Sequence, residues 1–304
     1  IGIDHFNEIE LNEKKFKIDF IYTQKGGEKN HWISYKIKTL VHCVYPQNLK
    51  EIHGHKYACI SEWLSKIFTN NKIPFLPYIV QINKSKQNLN KKLRIKKNQI
   101  VFGCHGGESS FDLKFVQDTL LEIVKKRKDI VFLFLNIDKF CKHSRIIFLK
   151  GTSDETYKKK FLNTCDSMIY GRSLGESFGM SCAEFAVQGK KIISYKFNRH
   201  KSHIYNLGRK NYEEYSSRKS LFKLIDNYKK KGEINFDKEN KYLSYSPKKV
   251  MKIFNEVFLK DKFNIRLSPI DYLINYLSFT KMHYRYIRHK IYNHYYYLIE
   301  SKIT

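Results

Sequence analysis

The stretch GRSLGESFGMSCAEF, Gly171–Phe185, decides how this chain reads. The run before it, Asp166–Tyr170, is short and apolar like a strand, and helical spacing begins near Phe178 or Gly179. A glycine-rich loop joins the two. Glycines let backbone N–H groups approach a ligand closely, and a helix start concentrates partial positive charge; together these suit a diphosphate. Glu176 falls in the loop, and Glu184 lies over a turn into the helix, facing the same crevice. Carboxylates do not bind phosphate, so the two glutamates are assigned to hydroxyl groups. A phosphate cradle with two hydroxyl-binding carboxylates fits a nucleotide-sugar.

Outward from this stretch, short apolar runs alternate with helical patterns. Strands are expected at Lys17–Tyr22, Lys38–Tyr45, Tyr57–Ile60, Tyr78–Ile82, Gln99–Gly103, Ile130–Leu135, Arg145–Leu149, Asp166–Tyr170 and Lys191–Tyr195. Helices are expected at Ser61–Thr69, Asp112–Lys126, Asp154–Cys165, Phe178–Gln188 and Arg218–Lys231. Several strands are continuously apolar and β-branched, as strands buried on both faces should be. The rhythm predicts an α/β fold of parallel sheets with right-handed crossovers. A polar, Lys- and Asn-rich segment follows Pro74 and Pro77, and 83–98 is read as a linker. Residues 1–82 then hold only part of a Rossmann-like domain, 99–245 a complete one, and 246–304 helices and a basic, Tyr-rich tail. Because the chain opens at Ile1 rather than Met, it is treated as a fragment whose amino-terminal domain is incomplete.

A second glycine loop, Phe102-Gly103-Cys104-His105-Gly106-Gly107, also lies between a strand and a helix. Glu176 and Glu184 have seven residues between them, and the Gly175–Phe185 run resembles the signature of retaining GT-B glycosyltransferases with an E-x7-E motif, similar to glycosyltransferase family 4. Lys38–Cys43, Tyr57–Leu64 and Val101–Gly107 resemble other segments of that family in the same order, so the resemblance covers about residues 35–260.

The resemblance implies two Rossmann-like domains, the first on the acceptor side and the second binding the donor. It implies transfer of a hexose-like sugar from a nucleotide-sugar to an unknown acceptor (glycan, lipid or protein) with retention, and no cofactor beyond that substrate. Glu184 would bind the donor ribose. Glu176 and the backbone of Ser177, Phe178, Gly179 and Met180 would hold the transferred sugar. His42, ending a strand of the first domain, would face the donor sugar and act with Glu176 in catalysis. His105, Gly106 and Gly107 would lie beside the diphosphate. There the family often carries a basic residue and a lysine, whereas this chain has Cys104 and His105 with Lys114 late. Arg172 is nominated as the counter-cation, since arginine grips phosphate through two N–H groups. No residue is an evident covalent nucleophile.

Metal is not expected. No D-x-D pair is present, and His53/His55 and His200/His203 lack the further ligands of a zinc site. Neither a G-x-x-x-x-G-K-[ST] loop nor a G-x-S-x-G elbow occurs.

Lys and Arg number 57 against 29 Asp and Glu, a net charge of +28. Such a charge attracts any polyanion. With the tail, where Tyr284, Tyr286, Tyr292, Tyr295, Tyr296 and Tyr297 interleave with Lys281, Arg285, Arg288 and Lys290, it motivates the alternative of a nucleic-acid-binding protein. That alternative leaves the glycine loops and paired glutamates unexplained, so nucleic acid is not the expected partner. An inactive GT-B-fold binding module is the other alternative. As a helix, the tail aligns Leu273, Tyr276, Leu277, Tyr284, Ile287, Ile291 and Leu298 in an apolar stripe, which suits either packing or an anionic membrane surface. Six cysteines without C-x-x-C spacing read as free thiols, and no apolar run reaches membrane-spanning length. A soluble cytoplasmic protein with membrane association is the expectation.

Overall fold

The computed structural model describes residues 17–30, 33–34, 36–81, 87–230, 239–260 and 265–301. The first sixteen residues, the end of the strand expected to reach Ile82, residues 83–86 of the expected linker, Lys231 and the last three residues of the tail lie outside them. The chain divides into two compact units, one of residues 1–79 with 245–281 and one of residues 80–244 with 282–304.

The first unit holds a parallel sheet ordered β1-β2-β3, with β1 at Phe20–Lys25, β2 at Lys38–Cys43 and β3 at Lys56–Cys59. β2 lies in the middle and is buried from Thr39 onward, which is why its run is apolar at consecutive positions. Helix α1, Glu62–Thr69, starts where the Ser61 side chain accepts from the Leu64 N–H and ends at Asn70 in left-handed geometry. The strand expected at 78–82 is not formed by the described residues; a single bridge joins Phe75 to Cys59, and residues 76–81 run without regular structure. The chain pairs with Cys59 only through the Pro74 carbonyl and the Leu76 N–H, before the expected span begins.

The second unit carries a six-stranded parallel sheet ordered β11-β9-β7-β4-β5-β6. Its strands are β4 (Ile100–His105), β5 (Ile130–Leu135), β6 (Ile146–Leu149), β7 (Ser167–Ile169), β9 (Lys191–Tyr195) and β11 (Tyr212–Tyr215). In chain order this is the doubly wound arrangement, reversing direction between β4 and β7, and ligands bind outside the carboxyl ends of strands at such a switch. All six residues of β5 are buried, and Phe102 stacks on Phe132 at 5.6 Å. Each fully buried ring of this kind contributes roughly 1.5–3 kcal/mol. Crossovers are made by α2 (Lys114–Lys126), α3 (Glu155–Thr164) and α4 (Met180–Val187), and α6 (Arg218–Asp226) follows the last strand. Residues 87–98, expected as a linker, sit in this unit: Leu89 is buried and its N–H donates to Thr164 Oγ1 at 2.8 Å.

A two-residue pairing of β8 (Gly175–Glu176) with β10 (His200–Lys201) and the short α5 (Ser202–Leu207) complete the loop region. Neither they nor β11 were anticipated. The chain ends with α7 (Pro247–Phe254), which begins with Pro247 at its first position, and α8, Pro269–Ser301. The amino half of α8 belongs to the first unit, where Asn275 Nδ2 donates to the carbonyls of Gln47 and Phe68. Its carboxyl half belongs to the second, where the Tyr292 hydroxyl accepts from the Arg218 N–H at 2.8 Å.

Candidate functional site

Both glycine loops come together at the carboxyl end of β4. Gly175 has φ +70, and a Cβ there would lie 2.0 Å from the His200 carbonyl oxygen, so only glycine permits the β8–β10 pairing. Gly179, φ +91, caps α4, and a Cβ would collide with His203 and Tyr242. The glycines thereby aim the first turn of α4 at β4. Ser181 Oγ donates to the His105 carbonyl at 2.6 Å and locks the two together.

A cleft of about 890 Å3 opens here, at the ends of β4, β5 and β6 and against α4. His105, Gly106, Met180 and Glu184, all nominated from sequence, line it. Glu184 is only 6% exposed. Its Oε1 accepts from Lys158 Nζ at 2.9 Å, and its Oε2 lies 2.9 Å from His105 Nε2, at ion-pair distance but off the line of a hydrogen bond. Burial alone would raise the Glu184 pKa, but His105 and Lys158 together outweigh it and hold the carboxyl below its ordinary value. The His105 ring is itself fixed, stacked on Phe185 at 5.8 Å and perpendicular to Phe161 at 5.9 Å.

Lys158, which pairs with Glu184 in this cleft, was not singled out from the sequence. It stands in the run Lys158-Lys159-Lys160, where one lysine looks like another. Helical register does not separate them: Lys159 lies three before the buried Leu162, Lys160 four before the buried Thr164, and all three lysines are partly buried, so only the folded chain selects Lys158. Burial opposes its charge, but Glu155 and Glu184 prevail and raise its pKa. Asn136 was also missed. It sits at the end of β5 with φ +57, and its Nδ2 donates to the Gly106 carbonyl at 2.8 Å, bracing the loop. A Cβ on Gly107 would meet nothing within 4 Å among the described residues, so that side of the loop is open.

The other nominated residues lie beyond this cleft's lining. Glu176 accepts from the Tyr170 hydroxyl at 2.9 Å and from Arg172 Nη1 at 3.2 Å. Arg172, expected to face diphosphate, is therefore an ion-pair partner of Glu176 in this structure. Phe178 is a core residue against Tyr242, whose hydroxyl donates to the Phe178 carbonyl at 2.6 Å, and its contribution to a ligand is confined to backbone. Ser177 is partly exposed between them.

His42 belongs to the first unit and is 1% exposed. Its Nε2 donates to the Leu76 carbonyl at 2.8 Å and its Nδ1 accepts from the Tyr22 hydroxyl at 2.5 Å. Burial depresses its pKa to about 4, although the Leu76 bond works the other way. Both ring nitrogens are engaged, so the geometry describes a histidine that fastens β2 to its neighbours. The catalytic expectation for it has no free nitrogen behind it here.

Among the described residues no three His, Cys, Asp or Glu side chains gather as metal ligands would. Cys104 is buried beside the loop, and burial pushes its thiol far above the range of a nucleophile.

Neither a protein-family model nor a curated protein matches this sequence. Solved structures do. A glycosyltransferase from Rickettsia africae ESF-5 superposes with a TM-score of 0.62, over 84% of this chain and 81% of that one, at 16% identity. The fold is that of the GT-B glycosyltransferases. Sucrose-phosphate synthase from Thermosynechococcus elongatus follows at 0.59, over 84% and 76%, with 9% identity. Anabaena Alr3699/HepE in complex with UDP and glucose gives 0.52, over 73% and 71%, with 12% identity. At these identities the likeness is one of architecture. It agrees with the doubly wound second unit and with a crevice at the carboxyl ends of its strands.

Proposed function

We propose that this chain transfers a sugar from a nucleotide-sugar donor to a glycan, lipid or protein acceptor, with retention at the anomeric carbon and without a metal ion. The observation that carries the reading is Glu184: a buried carboxylate, held charged, in the wall of a cleft that also receives a glycine loop and the start of α4. A buried anion beside a phosphate cradle needs a purpose, and two vicinal ribose hydroxyls supply one. The donor diphosphate would meet the Gly106–Gly107 amides and the α4 terminus. Lys158, which pairs with Glu184 here and lines the cleft, would be the cation to offset charge on the departing diphosphate. Glu176 would take a hydroxyl of the transferred sugar, exchanging its bonds to Tyr170 and Arg172. The UDP complex of HepE makes a uridine diphosphate sugar the first donor to test. Retention rests on the resemblance of the Gly175–Phe185 run.

The test is thermal unfolding against UDP-, GDP- and ADP-sugars, because a ligand at one hundred times its Kd stabilises by about 2.7 kcal/mol. One nucleotide class should raise the midpoint in the wild type and fail to do so in Glu184→Ala. No shift with any of them would remove the proposal.

A further inference from the structure

Helix α8 has two faces. Asp271, Asn275, Met282, His289 and Tyr296 are buried, spaced four or seven residues apart. A second stripe, Ile270, Leu273, Leu277, Tyr284, Ile287 and Ile291, repeats on the same rhythm, and every one of these is between 46% and 61% exposed. At about 100° per residue the second stripe lies roughly 150° round the helix from the first. One face is thus consumed by packing, and the opposite face is apolar and turned to solvent. Scattered exposed apolar residues are normal, but a continuous seam about 30 Å long, at 1.5 Å per residue, is not.

We infer that this seam seats α8 on an anionic membrane surface. Charge chooses the occupant. The acidic residues of α8 are Asp271, which is buried, and Glu300, which is partly buried. Lys281, Arg288 and Lys290 are exposed along the borders of the seam, with Tyr276 and Tyr295 beside them. Apolar residues entering a surface, tyrosines at the boundary and cations at headgroup level are what an interfacial helix needs. A second copy of the chain fits less well. Its own Lys281, Arg288 and Lys290 would approach these, and no exposed acid on the helix would pair with them. The inference goes beyond the donor chemistry and does not depend on it.

The experiment measures co-sedimentation of the full chain with vesicles of phosphatidylcholine, with and without phosphatidylserine. Binding should require phosphatidylserine and weaken with salt. Ile287→Glu with Ile291→Glu should lower it at least about tenfold, from the apolar area withheld. Lys281→Gln and Lys290→Gln should each lower it about fivefold. Leu277→Glu with Tyr284→Glu tests the seam again should the isoleucine pair fail to fold. Equal binding to both vesicle types, or undiminished binding by a folded seam variant, overturns the inference. So does a dimer in light scattering that the seam variants dissolve, since a second copy would then be the occupant.

Discussion

Glu184→Gln is the most discriminating substitution in this molecule. It keeps the side chain's shape and removes its charge. In the protein alone, Lys158 loses one anionic partner but keeps Glu155 at 2.8 Å, and the glutamine oxygen can still accept from it. The stability cost should therefore stay at about 1 kcal/mol, the net contribution of one typical hydrogen bond. Donor binding should suffer more. Hydrogen bonds to a charged acceptor contribute about 1.5–3 kcal/mol, so Kd should rise roughly 10- to 150-fold. Isothermal titration with the stabilising nucleotide-sugar, at fixed salt, measures it, and urea unfolding supplies the control. Acid adds a sign. The folded pKa of Glu184 is depressed, so its contribution is complete above the unfolded value of about 4.3 and is lost as pH falls through the lower folded value. The glutamine variant should lack that acid-dependent loss. Donor affinity within twofold of wild type would refute the ribose assignment. A loss of several kcal/mol of stability would instead make Glu184 a structural ion.

His200 and His203 are buried, with pKa values depressed to about 3. Between that value and about 6.5 the unfolded chain takes up protons that the folded chain refuses, so stability should fall steadily as pH drops from about 6.5. His203→Asn should flatten that slope in urea midpoints; an unchanged slope would exclude His203 as a contributor. Gly175→Ala should cost upward of about 1 kcal/mol, because the left-handed φ and the His200 carbonyl both reject a Cβ. Gly107→Ala should leave the melting temperature alone, since its φ is −73 and the space is open, yet weaken donor binding by intruding on the cradle. If Gly107→Ala binds donor normally, the diphosphate lies elsewhere. Transfer activity should survive excess EDTA, and a complete loss restored by manganese or magnesium would contradict the metal-free reaction.

Legibility followed the strength of local patterns. β5 and β9 were readable to the residue because Ile130–Leu135 and Lys191–Tyr195 are bounded apolar runs in the interior of a sheet. β8 and β10 were invisible: each has two residues, and their pairing is set by a left-handed glycine and a carbonyl that meet only in the folded chain. β11, Tyr-Glu-Glu-Tyr, alternates only at its ends because it is the edge of its sheet. The expected strand at 78–82 shows the opposite error, where apolar character suggested a ladder and the described residues 78–81 form none.

In the site, residue type was legible and pairing was not. Both glutamates could be read from their place around a glycine loop, but the sequence offered no means of choosing their partners among 57 basic residues. The pairing adopted gives each carboxylate its own cation, Glu176 with Arg172 and Glu184 with Lys158. Such an arrangement would let two anions stand near the proposed phosphate cradle without repelling the phosphates outright. It also makes the proposed donor binding an exchange. Sugar hydroxyls would replace cations at the carboxylates, and the cations so released are next to the new negative charge. By that argument Lys158→Met should not mimic Glu184→Gln. It frees Glu184 for ribose but removes the counter-charge, so nucleoside monophosphate affinity should hold while nucleoside diphosphate affinity falls. Equal losses for both nucleotides would show that Lys158 serves only to hold Glu184 in place.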